Sequence, residues 1–66
     1  MKLVIQDENA CKVMPCKDYA EASCMRDACR TAIQIALKGA AYEIYDSKKK
    51  AFIIKGKDVY VELIIE

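Results

Sequence analysis

The stretch Asp18-Tyr19-Ala20-Glu21-Ala22-Ser23-Cys24-Met25-Arg26-Asp27-Ala28-Cys29-Arg30-Thr31-Ala32-Ile33-Gln34-Ile35-Ala36-Leu37-Lys38-Gly39 decides how this chain folds. Its first four residues have the form of a capping box: Asp18 can accept from free amides of a first helical turn, and Glu21 can reach back. At 100° per residue, Ala22, Met25, Cys29, Ala32, Ile33 and Ala36 share one face, while Ser23, Arg26, Asp27, Arg30, Gln34 and Lys38 lie opposite. The first face is expected in the core and the second in water. Lys38 suits the negative end of the helix dipole, and Gly39 supplies a left-handed stop. The helix is then about twenty residues, or roughly 30 Å.

On its N-terminal side, Lys2 to Gln6 reads as a short strand ending at the polar cluster Asp7-Glu8-Asn9. Ala10 to Lys17 reads as a loop, with Pro15 biasing Met14 away from helix. On its C-terminal side the period becomes two. Tyr42 to Tyr45 forms a strand, Asp46-Ser47-Lys48-Lys49-Lys50 a polar hairpin loop, Ala51 to Lys55 the next strand, and Asp58 to Glu66 the last. Gly56-Lys57 suits a two-residue type II′ turn. That turn sets Lys55 opposite Asp58, Ile54 opposite Val59, Ile53 opposite Tyr60 and Phe52 opposite Val61; the lysine loop sets Tyr45 opposite Ala51 and Ile44 opposite Phe52. The helix-facing side would be Tyr42, Ile44, Phe52, Ile54, Val59, Val61, Leu63 and Ile65. The predicted fold is one α+β domain over residues 1–66: a strand, a long amphipathic helix, then three strands, the helix covering one face of a mainly antiparallel sheet.

The outer face would carry Glu43, Tyr45, Ala51, Ile53, Lys55, Asp58, Tyr60, Glu62, Ile64 and Glu66. One helix covers one face, so Tyr45, Ile53, Tyr60 and Ile64 would form an apolar stripe in water, with Lys55 beside it. A contiguous stripe with charged flanks marks an interface, with a foreign protein or with a second copy. The polar helix face, Arg26, Asp27, Arg30 and Gln34, is the second choice. A nucleic-acid alternative uses Tyr45 and Tyr60 as stacking platforms and Lys48, Lys49, Lys50, Lys55 and Lys57 as phosphate contacts. Against it stand Glu43, Asp58, Glu62 and Glu66 on or beside that face, and a formal charge of only +1.

Catalysis finds little support. There is no histidine, so a cysteine nucleophile would lack an imidazole, and no glycine-rich phosphate loop is present. The expectation is a non-enzymatic protein without cofactor. Cys11, Cys16, Cys24 and Cys29 are spaced C-x4-C-x7-C-x4-C, which raises a tetrahedral zinc site. Cys24 and Cys29, five positions apart on the helix, would point about 140° apart, and the tight C-x2-C knuckle is absent, so no metal is expected. The apolar run at Met1 to Ile5 is too short for a signal-peptide core or a membrane span, and the expectation is a soluble, cytoplasmic protein with reduced thiols and no membrane partner.

In layout, a strand, a helix and antiparallel strands within 66 residues, the chain resembles two groups. The dodecin family builds flavin-binding shells from such protomers; its flavin-stacking tryptophan has no counterpart here, because the chain has no tryptophan, so that activity is not implied. The chain also looks like small phage-encoded inhibitors, the anti-CRISPR proteins among them. That resemblance implies a protein that blocks a larger host complex by occupying a surface.

Overall fold

A computed structural model describes residues 1–66. The chain is α+β: one helix lies on a five-stranded, wholly antiparallel sheet. In chain order the elements are β1 (Lys2–Asp7), β2 (Cys11–Pro15), α1 (Tyr19–Leu37), β3 (Ala41–Asp46), β4 (Ala51–Gly56) and β5 (Tyr60–Ile65). The strands lie side by side as β2-β1-β5-β4-β3. The helix therefore leaves one sheet edge and returns the chain to the other, packing on β1 and β5 between them. Its 19 residues span about 28 Å. Four inter-strand gaps span about 19 Å, so a helix of this length crosses the sheet from edge to edge.

The segment expected to be a loop before the helix contains β2. Asp7 explains it: its Oδ1 accepts the amides of Asn9 (2.8 Å) and Ala10 (2.6 Å), a side-chain-closed turn that folds Cys11–Pro15 back on β1. Pro15 sits at the last position of an edge strand, where a missing amide donor costs no ladder bond.

Asp18 caps the helix as its sequence position implies, accepting the Glu21 amide at 2.9 Å. The helix ends one residue earlier than expected: Lys38 is itself left-handed (φ 54°), followed by Gly39 at φ 76°. The buried residues are Leu3, Val4, Cys16, Ala22, Ala51, Ile53, Ile54 and Leu63; Met14, Met25, Cys29 and Ile65 pack against the cluster of Leu3, Cys16 and Ala22. Ala32 and Ala36, expected in the core, are exposed, whereas Arg26, Arg30 and Gln34 face the sheet. No helix is long and apolar enough to cross a membrane.

Two loops set the register, and both differ from expectation. Between β4 and β5 the turn is not two residues: Gly56 N–H donates to the Val59 carbonyl (2.9 Å), and Lys55 pairs with Tyr60. Gly56 is not in the positive-φ region that a type II′ turn requires; it is needed because a Cβ would lie 2.9 Å from the Ala40 carbonyl oxygen and from a Val59 methyl. A two-residue shift preserves side-chain parity, so Phe52, Ile54, Val61, Leu63 and Ile65 face the helix as expected. Between β3 and β4 the loop is four residues, with Asp46 pairing Ala51, and the shift is one residue. Asp46 Oδ1 accepts the amides of Lys48 (2.9 Å) and Lys49 (3.2 Å), and Lys50 turns the chain at φ 54°. One residue reverses every side chain of β3. Glu43 and Tyr45 point to the helix side, and Tyr42 and Ile44 to the outer side.

Candidate protein interface

The face away from the helix is built in rows across the strands. One row runs Val13, Val4, Ile64, Ala51, Asp46; the next runs Cys11, Gln6, Glu62, Ile53, Ile44; the last runs Tyr60, Lys55, Tyr42. Ion pairs sit at its ends and middle: Lys2 with Glu66 at 3.6 Å, and Lys49 with Glu62 at 3.1 Å. Tyr60 O–H also donates to Glu62, at 2.7 Å. That hydrogen bond, with Lys49 behind it, holds the Glu62 carboxyl below the usual glutamate range, against the opposing effect of burial. The same bond raises the Tyr60 phenol above its ordinary value, and the Lys49 ammonium is raised by its own hydrogen bond to Glu62.

Of the residues expected to make the outer stripe, Ile53, Tyr60, Ile64 and Lys55 do lie on this face. Ile53, however, is buried rather than in water: at 5% exposed it lies between Ile44 and Glu62 and, like Val4 and Ala51 of the same face, presents no stripe to solvent. Tyr45 is on the opposite face, its ring packed edge-on against Phe52 with centroids 4.9 Å apart. Apolar exposure concentrates instead on β3: Tyr42 is 56%, Ile44 46% and Tyr45 52% exposed. Val13 is the exposed apolar residue at the other edge. Tyr42, Ile44 and Val13 escape a reading that takes 10–17 as loop and slips β3 by one. The signal available was the repeated pattern of an aspartate closing a turn over the next two or three amides, at Asp7 and again at Asp46.

The second-choice surface is also rearranged. Arg26 and Arg30 stack over the Phe52 ring, with guanidinium carbons 4.6 and 4.1 Å from its centroid. Arg30 pairs with Glu43 and with Asp27, each at 3.0 Å, and Gln34 donates to Glu43 at 3.4 Å. Only Asp27 among the four keeps an exposed position. These residues glue the helix to β3 and β4, a role that Glu43's reversed orientation creates. The Nε atoms of both arginines are buried without an acceptor.

No family model, curated protein or solved structure matches this chain.

The lysines of the nucleic-acid alternative are dispersed: Lys49 is held by Glu62, Lys48 and Lys50 are exposed in the β3–β4 loop, and Lys57 lies in the β4–β5 loop. Tyr45 and Tyr60 lie on opposite faces and do not form one stacking platform. The cysteines are all free: Cys11 and Cys24 exposed, Cys29 half-buried, and Cys16 buried with Sγ 3.6 Å from Met25 Sδ. No three metal-ligating side chains converge. The single depression, between the β1–β2 and β4–β5 turns, is shallow and lined by Asp7, Glu8, Asn9 and Asp58 with Val59, Tyr60 and Val61.

Proposed function

We propose that this chain is a non-enzymatic protein-binding module that acts by occupying a partner's surface through its outer sheet face. The observation that carries the reading is the uncovered face itself: Tyr42 and Ile44 exposed, Tyr60 and Ile64 half-buried, and its charges paired as Lys2–Glu66 at one end and Lys49–Glu62 in the middle. Residues centred on Tyr42, Ile44, Tyr60 and Ile64 would bury apolar area, and Lys55 at the rim would help set orientation. Inhibition of a host complex in the manner of small phage proteins is the form of surface occupation that this minimal scaffold suits.

The test is affinity capture from the native host with three immobilised proteins: wild type, Ile64→Lys on the outer face, and Ala28→Lys on the exposed side of the helix. A partner held by wild type and Ala28→Lys but lost from a folded Ile64→Lys supports the face. Capture insensitive to Ile64→Lys refutes it.

Nucleic-acid binding is kept as a second reading by one feature, the row Tyr60-Lys55-Tyr42 across three strands of the outer face. Absence of binding to fluorescent single-stranded RNA and DNA at low salt ends it.

A further inference from the structure

We infer that β3 is an open pairing edge and that it takes the β3 of a second copy, antiparallel across a two-fold axis, joining two five-stranded sheets into one. The inference concerns the edge and does not rest on the outer-face reading above.

The two sheet edges are guarded differently. β2 is short, carries Lys12, and ends in Pro15, the devices by which edge strands resist further pairing. β3 has neither lysine nor proline, and its ladder to β4 runs without interruption from Ala41 to Asp46, so no bulge twists the edge away. Its two acids are held within the protomer: Glu43 on the helix side by Arg30 and Gln34, Asp46 by the amides of its own loop. The helix backbone packs closest to β1 and β5 and reaches β3 through the Arg30 and Gln34 side chains, on the helix face of the sheet. Three of the seven exposed large apolar side chains, Tyr42, Ile44 and Tyr45, lie on this one strand, on both of its faces.

The strand's sequence is complementary to itself in one register. A two-fold axis normal to the sheet keeps both helices on the same side and pairs only residues of like parity. Centring it on Ile44 sets Ile44 opposite Ile44 of the second copy, Tyr42 opposite Asp46, and Glu43 opposite Tyr45, so each phenol meets a carboxylate and no like charges face each other. One step one way sets Glu43 against Glu43; one step the other way sets Ile44 against Asp46 twice. Both are disfavoured. The paired outer faces would then run on continuously through Tyr42 and Ile44 of both copies.

Sedimentation velocity on wild type, Ile44→Lys and Tyr42→Lys tests this. Wild type is expected to rise from 7.4 kDa toward twice that mass between about 1 µM and 1 mM. Ile44→Lys, which places two lysines opposite each other at the axis, should stay monomeric. Tyr42→Lys adds the same charge to the same strand but opposite Asp46, so it should still dimerise. A wild type monomeric throughout, or equal behaviour of the two lysine variants, overturns the inference. If Ile44→Lys fails to fold by circular dichroism, cysteine pairs in a background with Cys11→Ser and Cys24→Ser decide it. Ile44→Cys should cross-link to itself under mild oxidation. Tyr42→Cys should not, its mate lying about four residues, or roughly 13 Å, away along the strand. Cross-linking at residue 42 as fast as at 44 refutes the register. A monomeric wild type that still captures its partner removes only this inference.

Discussion

Replacing Glu43 by alanine tests the β3 register by energy. In the register expected from sequence, Glu43 lies on the outer face in water, and its loss would cost no more than an ordinary surface substitution, within about 0.5 kcal/mol. In the structure, Glu43 accepts from Arg30 at 3.0 Å and from Gln34 at 3.4 Å, with the two charged side chains only 27% and 28% exposed. An exposed pair is worth about 0.2–1 kcal/mol and breaking a fully buried one costs about 3–5. A pair roughly a quarter exposed falls between, and Asp27 still holds one arm of Arg30 after the change, so about 1–2 kcal/mol is expected. A 66-residue domain has about 3–10 kcal/mol of stability in all, so the loss is a sizeable part. With a urea slope near 1 kcal/mol/M for so small a chain, the unfolding midpoint should fall by about 1–2 M at unchanged slope. Arg30→Ala and the double variant complete the cycle, and coupling should exceed about 0.5 kcal/mol. A midpoint within error of wild type for Glu43→Ala, with no coupling to Arg30, would refute the pairing of Tyr45 with Phe52 and restore the other face.

Two further outcomes follow from single contacts. Glu62 has its carboxyl lowered first by the Tyr60 hydrogen bond, so the contact stabilises the fold above the ordinary glutamate pKa and is lost as pH falls below about 4. Tyr60→Phe should therefore raise the Glu62 midpoint in a carboxyl NMR titration; an unmoved midpoint rejects the assignment. Gly56→Ala should destabilise the β4–β5 turn, because the added methyl meets the Ala40 backbone oxygen at 2.9 Å and Gly56 N–H must keep its bond to Val59; a urea midpoint equal to wild type would show that the turn yields freely.

The elements that depend on local chemistry were legible. Asp18 as a cap, the helix period, the stop near Gly39 and the alternation from β3 to β5 are each written within a few residues, and each stands in the structure. What was not legible depended on single-residue counts. Asp46 reads equally well as the first residue of a loop or as the last of a strand whose side chain closes that loop, and its bonds to Lys48 and Lys49 select the second. In the same way Asp7 closes a hairpin that makes Cys11–Pro15 a strand despite Pro15. The helix face that meets the sheet is rotated from the one its apolar period marks, because arginine counts as polar in any periodicity. Here Arg26 and Arg30 lay their flat guanidinium faces on Phe52, so these charged residues are half-buried against the sheet.

The two loops have unequal consequences for the exposed face because parity, not position, decides which face a strand presents. The two-residue difference at Gly56 leaves Ile53, Lys55, Tyr60 and Ile64 on the outer face, while the one-residue difference at Asp46 exchanges Tyr45 for Tyr42 and Ile44. Had β3 taken the other parity, Glu43 would be free in water at the sheet edge, a charge of the kind that deters pairing. With the observed parity it is drawn inward to Arg30, and the edge is left to Tyr42, Ile44 and Tyr45. The interaction that fastens the helix to the sheet is thus also the one that strips β3 of its guard, so Glu43→Ala should loosen the fold without adding an edge charge, whereas Ile44→Lys should restore a guard with the helix contacts intact.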